Sequence, residues 1–483
     1  MNRSIWEEAL DIFYEISKIP RPSNVIKEGI ILENHEWKVL TFLQNWATQR
    51  SFQYKTDTLG NICIYVPWTF GREDELPIIL QGHKDIVCVK TPESTHDFET
   101  QWIDVYEQDG WLKAKNTTLG ADNTIGLWLA LAASNLASHP PIEILVTATE
   151  EVWLVGASYL ESSILSGKAT CMINLDTEDL WEIIIGCAGG WRAEIHGTVE
   201  LEEVVGEPYR LSIVWWRWGH SWMEINKNRA NILYESIEFL QSLSGAYRLV
   251  SLSGGQRDNA IPSDFSVDLL LQTSEVFMQK IEWFLELLRK KYDEPNLSFS
   301  FRKVDQTQKA ASVSAQDQLF KTILSIKTGV YAMSEQLPDF VETSANLWVI
   351  QIKDGKVVIK YAVRSSVNWK IKDIISKVTD SFEWLGFAVE IWGLYPWWQQ
   401  EIGSPFVQKV QQLYDEVYWK KSTLLSIHAW LECGILSQKL WGNIQIVSFG
   451  PNIYGAHSPE ERCEIVSVHI IGEILQRILS EKL

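Results

Sequence analysis

The apolar positions near the start of the chain repeat every three to four residues, which predicts an amphipathic helix over residues 5–17. The proline-rich segment 20–24 ends that helix, and the same spacing predicts a second helix over about 34–50. Further along, short apolar runs alternate with helical patterns. The predicted strands cover 61–66, 78–81, 142–148 and 170–175, and the predicted helices cover 122–137 and 157–165. This alternation predicts an α/β domain with a mostly parallel sheet flanked by helices.

The pattern changes after residue 190. Charged, alternating strand-like stretches and two further helical patterns, over 230–243 and 274–291, indicate an α+β insertion. Segments near 404–416 and 444–449 then return to the first sheet. A chain of 483 residues is long enough for two cores. The predicted domains are 1–190 together with 393–483, and the insertion 191–392.

The composition limits the partners and the location of the protein. A formal net charge of −19 with no basic stretch disfavours nucleic acid and anionic lipid. No apolar run is long enough to cross a bilayer, and the N-terminal segment lacks the apolar region of a signal peptide. The six cysteines are scattered, which favours free thiols in a reducing compartment. They are Cys63, Cys88, Cys171, Cys187, Cys433 and Cys463. We therefore expect a cytoplasmic protein without a nucleic-acid or membrane partner.

Short segments with metal-binding side chains follow three of the predicted strands. Because the carboxyl ends of parallel strands meet at one edge of a sheet, these segments should converge. The side chains are His83, Glu150, Glu151 and Asp176 after the strands, Asp122 at the start of a predicted helix, and His457 far downstream. Mixed histidine and carboxylate ligands suit borderline divalent cations such as Zn²⁺. A surplus of carboxylates lets one bridge two ions while another acts as a base, which predicts a two-metal hydrolase.

Each of these residues also has an ordinary structural interpretation, and for His83 with Asp85 it is a polar turn after a strand. Asp122 alone is more simply a helix N-cap, and a Glu-Glu pair is more often a solvated loop. Asp176 begins an acidic turn, and His457 precedes a Ser-Pro dipeptide that is typical of loops. These alternatives weaken together, because all the segments lie where the edge of an α/β sheet can gather ligands.

The ordered motifs resemble the aminoacyl-histidine (Xaa-His) dipeptidases, a family of two-zinc metallopeptidases related to aminoacylase and glutamate carboxypeptidase. The resemblance runs in order from about residue 10 to 475. The motifs are Ile19-Pro20-Arg21-Pro22-Ser23, Gln81-Gly82-His83-Lys84-Asp85, Thr118-Leu119-Gly120-Ala121-Asp122-Asn123, Thr149-Glu150-Glu151, Asn174-Leu175-Asp176-Thr177-Glu178, Gly186-Cys187-Ala188-Gly189-Gly190, Ser448-Phe449-Gly450-Pro451 and Gly455-Ala456-His457-Ser458-Pro459.

The resemblance implies a catalytic domain interrupted by a lid domain at 191–392. It implies five metal ligands, namely His83, Asp122, Glu151, Asp176 and His457. Asp122 would bridge two divalent ions, which we expect to be zinc, although Mn²⁺ and Co²⁺ suit the same ligands. Glu150 would be the general base. Asp85, two residues after His83, is placed to hydrogen-bond that imidazole and fix its tautomer.

Three further residues, all in the predicted lid, resemble substrate-site positions of the family. His220 would stabilise the oxyanion, Asn259 would supply an amide, and Arg364 would bind the terminal carboxylate of the substrate. His220 is alternatively a histidine at a strand edge, and Arg364 is alternatively a structural ion-pair partner. A homodimer through the lid is a further expectation.

The function that we expect is hydrolysis of Xaa-His and related dipeptides by a water that bridges two divalent ions. A related two-metal amidohydrolase, such as an N-acyl amino-acid deacylase or a tripeptidase, would share the same catalytic residues and is an alternative. A non-catalytic scaffold that keeps the fold is a second alternative, which the complete ligand set disfavours.

Tryptophan is unusually abundant, with 24 Trp against 28 Gly. Several stand where the motifs of the family have glycine: Trp153, Trp222, Trp348 and Trp430, with Trp181 and Trp191 fitting the same pattern. Glycine serves positions with positive φ or close backbone approach, which Trp fills poorly. Our hypothesis is that these positions arise from a codon that the source organism reads as glycine. Others, such as Trp46 and Trp102, are alternatively genuine core or surface aromatics.

Overall fold

The computed structural model describes residues 4–215, 219–221, 224–257, 260–293, 296–305, 309–335, 340–428, 430–440 and 444–482. In that part of the chain the α-helices are α1 (Ile5–Ile16), α2 (Trp37–Gln49), α3 (Ala121–Ala132), α4 (Val155–Tyr159), α5 (Ile232–Ser242), α6 (Ser274–Tyr292), α7 (Val313–Ser325), α8 (Asn368–Glu383), α9 (Pro405–Tyr418), α10 (Glu432–Lys439) and α11 (Ile465–Ser480).

The strands of the described residues are short and numerous. They are β1 (Val25–Lys27), β2 (Ile30–Glu33), β3 (Gln53–Thr56), β4 (Ile62–Val66), β5 (Ile78–His83), β6 (Val105–Gln108), β7 (Trp111–Ala114), β8 (Ile142–Thr147), β9 (Cys171–Asn174), β10 (Glu182–Cys187), β11 (Gly189–Thr198), β12 (Leu201–Glu203), β13 (Glu207–Trp215), β14 (Gly219–His220), β15 (Tyr247–Gly254), β16 (Ala260–Ile261), β17 (Asp264–Leu271), β18 (Leu297–Lys303), β19 (Lys309–Ala311), β20 (Gly329–Met333), β21 (Val341–Lys353), β22 (Lys356–Ser365), β23 (Ala388–Tyr395), β24 (Trp398–Gln399), β25 (Thr423–Ile427), β26 (Gln445–Ser448), β27 (Ile453–Tyr454) and β28 (Arg462–Glu464).

The chain divides into two compact units. The interrupted unit comprises Met1–Cys187 and Trp398–Leu483, and the inserted unit comprises Ala188–Trp397. The first break lies three residues before the predicted boundary at 190, and the second lies five residues after the predicted boundary at 392.

A nine-stranded mixed sheet forms the centre of the interrupted unit, in the order β24-β10-β26-β9-β5-β8-β4-β3, with β25 beside β10. The middle strands β26, β9, β5 and β8 run parallel to one another. The flanking pairs β3–β4, β4–β8 and β10–β26 are antiparallel. The parallel arrangement is therefore concentrated at the middle of the sheet, where the candidate ligands follow the strands.

The middle strands are buried on both faces. Every residue of β5 and of β8 is buried, as expected for parallel strands that helices cover on both sides. Along β5 the side chains alternate, so that Ile78 and Leu80 pack into one apolar core and Ile79 into the other. Helix α3 packs in the first of these cores, and its residues from Asn123 to Ala132 are all buried.

The inserted unit is an antiparallel α+β structure. Its sheet has the order β18-β13-β17-β15-β21-β22-β11-β23, with β20 beside β21. Helices α5, α6, α7 and α8 contribute apolar side chains to the larger of two apolar clusters among the described residues of this unit, together with residues from the sheet. This architecture matches the α+β character expected of the insertion.

The predicted and observed elements differ at several boundaries. The helix predicted over 157–165 is a short helix, α4, followed by a 3₁₀ turn at Ser162–Ile164. The helix predicted over 122–137 begins at Ala121 and ends at Ala132, followed by a 3₁₀ turn. Among the described helices, none is long and apolar enough to cross a membrane.

Candidate metal centre

Two of the predicted ligands lie at the carboxyl ends of adjacent strands. His83 is the last residue of β5, and Asp176 follows β9 by two residues. Because β5 and β9 are parallel neighbours, their carboxyl ends lie at the same edge of the sheet. The Nε2 atom of His83 lies 3.7 Å from an Oδ atom of Asp176. The sequence prediction of convergence at this edge agrees with the geometry.

The Glu150–Glu151 pair lies in the loop after β8, where a turn begins at Glu151. Asp85 holds this turn. One of its carboxylate oxygens accepts the backbone N–H of Glu150 at 2.9 Å, and the other accepts that of Glu151 at 3.2 Å. The Ser23 hydroxyl donates to the same carboxylate at 2.7 Å.

Asp85 also contacts the predicted ligand His83. The Nδ1 atom of His83 lies 3.1 Å from the main-chain oxygen of Asp85 and 3.4 Å from its carboxylate. With Nδ1 toward Asp85, the Nε2 atom of the ring faces Asp122, Glu150 and Asp176. That Asp85 fixes the tautomer of His83 stays a prediction. Asp85 also accepts hydrogen bonds from the backbone of Glu150 and Glu151, an additional role that the sequence did not indicate.

Asp122 lies between the two histidines. One of its carboxylate oxygens is 3.3 Å from Nε2 of His83, and the other is 3.2 Å from Nε2 of His457. Its backbone is non-helical, as is that of Asn123, so α3 is kinked near its start. Both oxygens of the Asp122 carboxylate lie near histidines, a placement that a role as helix N-cap alone does not explain.

The candidate ligands form overlapping groups whose potential ligand atoms lie within 4.8 Å of one another. The groups are His83 with Asp122 and Asp176, then Asp122 with Glu151 and His457, and finally His83 with Glu150 and Glu151. In the second group, Glu151 approaches Nε2 of His457 to 3.0 Å. The first two groups share Asp122.

The electrostatics of the cluster show an excess of negative charge. Burial raises the pKa of Asp176 and of Glu150 well above the ordinary carboxyl range. Burial, together with the charge of Asp122, raises the pKa of Glu151 to about 7. Burial opposes the cationic form of His83, yet the surrounding carboxylates raise the pKa of this histidine well above its usual value. The positive charge that two imidazoles can carry therefore does not balance the negative charge of the buried carboxylates.

This environment suits divalent cations. The Oε1 atom of Glu151 is buried and has no hydrogen-bond partner among the described residues, which leaves a costly unsatisfied acceptor in the absence of a cation. The donor set of imidazole nitrogens and carboxylate oxygens is the set that zinc and similar ions bind. The residues present thus fit a metal centre.

Residues 79–481 match the model of peptidase family M20/M25/M40. The chain belongs to this peptidase family. The match covers most of the interrupted unit and all of the inserted unit, so the prediction of a hydrolase is confirmed.

Individual relatives of this peptidase include dipeptidases. The cytosol non-specific dipeptidase of Escherichia coli is 33% identical over 98% of this chain and 96% of that protein. The crystal structure of aminoacylhistidine dipeptidase from Vibrio alginolyticus is 29% identical, with a TM-score of 0.88 over 98% of this chain and 96% of that one. A tripeptidase from Staphylococcus aureus, at 14% identity and a TM-score of 0.55 over 99% of both chains, shares the fold. The resemblance and the fold class predicted from the sequence are confirmed.

Sequence reasoning missed buried polar residues that support the centre of this peptidase. Glu432 is fully buried and accepts hydrogen bonds from the side chains of Thr147, at 2.7 Å, and Gln81, at 2.5 Å. Gln81 accepts in turn from Asn174 at 2.6 Å. These contacts cross β8, β5 and β9 just beneath the candidate ligands. An acidic residue between Leu431 and Cys433 in an apolar segment was the available signal.

The predicted residues of the insertion are only partly described. Asn259 and the side chain of His220 lie outside the described residues, and the main chain of His220 pairs with Ala260 between β14 and β16. Arg364, in β22, is 4% exposed, and its guanidinium lies 5.8 Å from the ring centre of Tyr395. The roles assigned to these residues of the peptidase stay predictions.

The tryptophans occupy several unusual environments. Trp153 has a φ of 66° and stacks on the ring of Trp430 at 5.0 Å. Trp419, which the family motifs did not indicate, ends α9 with a φ of 60°. Trp191 and Trp348 are buried, and neither indole N–H has a partner among the described residues. Trp222 lies outside the described residues. The glycine hypothesis stays a prediction, and left-handed backbone at two tryptophans supports it.

Proposed function

We propose that this peptidase is a metal-dependent dipeptidase whose centre binds two divalent ions. The observation that carries the proposal is the position of Asp122, whose two carboxylate oxygens approach His83 at 3.3 Å and His457 at 3.2 Å. A single carboxylate shared between two ligand groups is the arrangement that a two-metal site requires.

One ion would be held by His83, Asp122 and Asp176, and the other by Asp122, Glu151 and His457. When bound, the ions would polarise the scissile carbonyl and make water more acidic. We expect zinc, and Mn²⁺ or Co²⁺ would also suit these ligands. Asp85 orients His83 through Nδ1 and holds the backbone of Glu150 and Glu151, so it acts as a positioning residue for both sides of the centre.

Glu150 is the residue that we assign as general base. Its carboxylate lies 3.7 Å from Nε2 of His83, and its side chain is 16% exposed. A proton acceptor has to be reachable from the substrate, and its neighbour Glu151, at 6% exposure, is more enclosed. The base would take a proton from water and return it to the leaving amine. One glutamate thus binds and the adjacent one transfers protons.

The inserted unit would act as a lid that supplies substrate contacts. We assign His220 to the developing oxyanion, Asn259 to a polar contact with the substrate, and Arg364 to the terminal carboxylate. Arg364 is buried within a strand, and such a fixed guanidinium is suited to bidentate binding of a carboxylate.

We infer a preference for dipeptides of the Xaa-His type. Names of two relatives support this class, since one is a non-specific dipeptidase and the other an aminoacylhistidine dipeptidase. A deacylase, a tripeptidase and a non-catalytic scaffold are the competing functions. The protein, stripped of metal and reconstituted with Zn²⁺, should be assayed on Xaa-His dipeptides, other dipeptides, tripeptides and N-acetyl amino acids.

We expect the highest kcat/KM for dipeptides, with no turnover by the metal-free protein. Faster hydrolysis of N-acetyl amino acids would support the deacylase, and faster hydrolysis of tripeptides would support the tripeptidase. Stoichiometric metal binding with no turnover of any compound would support the scaffold. Repeating the assays with Mn²⁺ and Co²⁺ in place of Zn²⁺ ranks the three metals by the activity that each supports.

The cellular setting completes the proposal. The Escherichia coli relative is named a cytosol dipeptidase, which supports a cytoplasmic location. The negative net charge supports the expectation of no nucleic-acid or membrane partner. A homodimer through the inserted unit is proposed because the sheet-edge strand β23 exposes Ile391 and Leu394. Sedimentation analysis of a Leu394→Lys variant tests that interface, and an unchanged mass would contradict it.

A further inference from the structure

Glu461 is a buried carboxylate that receives an unusual concentration of backbone hydrogen bonds. It is 3% exposed. One of its oxygens accepts the N–H groups of Leu119 at 2.7 Å and Gly120 at 3.0 Å. The other accepts those of Ala121 at 2.8 Å and Asp122 at 3.4 Å. Four consecutive amides therefore converge on one side chain.

These amides belong to the segment that presents Asp122. Gly120 adopts a φ of 71°, and a side chain there would collide with Ile86 and Arg21. The guanidinium of Arg21 donates to the main-chain oxygen of Gly120 at 3.3 Å and to the hydroxyl of Thr124 at 3.1 Å. Glu461 thus accepts hydrogen bonds from the N–H groups of the segment, while Arg21 donates to one of its carbonyl oxygens. Together the two side chains hold the backbone of the segment in place.

The same downstream loop supplies a candidate ligand. His457 and Glu461 are four residues apart, and the N–H of Glu461 donates to the main-chain oxygen of Ser458 at 3.1 Å. The hydroxyl of Ser458 donates to the main-chain oxygen of Gly455 at 2.7 Å. One compact loop therefore carries both the candidate ligand His457 and the Glu461 carboxylate that hydrogen-bonds to the Asp122 segment. Asp122 and Glu461 are 339 positions apart in the chain.

We propose that Glu461 is a positioning residue that fixes the carboxylate of Asp122 between His83 and His457 and thereby sets the affinity of the centre for its second ion. This inference rests on the proposed two-ion function. Asp122 can serve both histidine groups only if its backbone is held, because a small rotation would bring one oxygen closer to one histidine and move the other away. Groups that orient metal ligands typically contribute about 10–100-fold to affinity or activity.

The test compares Glu461→Gln with Glu460→Gln in the full chain. Glu460 is exposed and adjacent, so its variant removes the same charge near the centre without touching the Asp122 segment. Zn²⁺ affinities are measured by competition with a chromophoric chelator, and thermal unfolding is measured in the presence of a chelator. We expect Glu461→Gln to weaken the lower-affinity ion by about 10–100-fold, while Glu460→Gln changes it by less than about threefold, because an exposed charge is screened.

Each outcome separates the positioning role from its rivals. If Glu461→Gln lowers the unfolding temperature but binds both ions like the wild type, the residue is structural only and the inference is wrong. If Glu461→Gln and Glu460→Gln weaken metal binding equally, the loss of affinity comes from the change in net charge alone. That result would also overturn the inference. A wild-type protein that binds one ion or none contradicts the proposed function itself.

Glu461→Asp covers the case in which the glutamine variant does not fold. The aspartate keeps the charge and shortens the reach to the four amides. We expect a folded protein that binds its weaker ion less tightly than the wild type does. Wild-type affinity in Glu461→Asp would show that the reach of the carboxylate does not matter, and would overturn the inference.

Discussion

Replacing Trp419 by glycine should stabilise the protein. Trp419 follows the last residue of α9 with a φ of 60° and a ψ of 15°, and its N–H donates to the main-chain oxygen of Asp415 at 3.0 Å. Left-handed backbone costs an L-residue about 1–2 kcal/mol, and glycine is the usual residue at this position of a helix end. The side chain is 88% exposed, so its removal forfeits little buried apolar surface.

The magnitude follows from two opposing terms. Relief of the left-handed conformation contributes about 1–2 kcal/mol, and the greater freedom of glycine in the unfolded chain removes about 0.5–1 kcal/mol. The midpoints of these two ranges give a net gain of about 0.7 kcal/mol, or a rise in Tm of about 1–3 °C for a unit of this size. Trp153 is a poorer choice, because its stacking on Trp430 would be lost as well.

Calorimetry at one fixed metal concentration measures the change, with Trp102→Gly as the matched control. Trp102 lies in the same unit, is 65% exposed and is not among the residues with positive φ. We expect its glycine variant to lose stability, by about 0.5–1 kcal/mol. If Trp419→Gly is destabilised as much as Trp102→Gly, the reasoning from backbone conformation is refuted.

The same reasoning predicts the natural residues. Peptide mass spectrometry on protein purified from its own organism should find glycine at 153, 222, 419 and 430. Tryptophan at 153, 222 and 430 would end the hypothesis of a codon read as glycine. Tryptophan at 419 alone would show that this helix end tolerates a left-handed aromatic residue.

Three variants test the assigned roles. Glu150→Gln should retain both metal ions, measured by elemental analysis, and lose turnover, because the residue transfers protons and binds no ion in this assignment; loss of metal would contradict it. His220→Ala should lower kcat by about a hundredfold or more with little change in KM or metal content, as expected of an oxyanion donor, and normal kinetics would remove that role. Arg364→Ala should raise KM for dipeptides and have no effect on substrates with an amidated C-terminus; equal effects on both would contradict carboxylate binding.

The spacing of the apolar positions along the chain was enough to predict the middle strands of the sheet in the interrupted unit. The prediction of strands at 78–81 and 170–175 agrees with β5 and β9, because buried parallel strands read as short continuous apolar runs. His83 and Asp176 follow from that placement. The Asp122–His457 approach could be inferred only from the resemblance, because no local pattern joins residues so far apart in the chain.

Other features left little trace in the sequence. Helices α7 and α8 have mixed polar and apolar faces within the inserted unit and were not predicted, and neither was α11. Glu461 was missed because its partners are backbone amides, which every residue type presents equally. Trp419 was missed because its φ depends on how α9 ends, which side-chain periodicity does not specify.

The number of ions bound per chain tests the central claim most directly. After removal of loosely held metal, elemental analysis of the wild-type protein should give two divalent ions per chain, as a shared carboxylate requires. Asp122→Ala should fold with an unchanged circular dichroism spectrum and retain one ion or none, because both ligand groups lose a member. A wild-type protein with no more than one ion, or an Asp122→Ala protein that keeps two, would contradict the assignment of Asp122 as the residue that joins two metal sites.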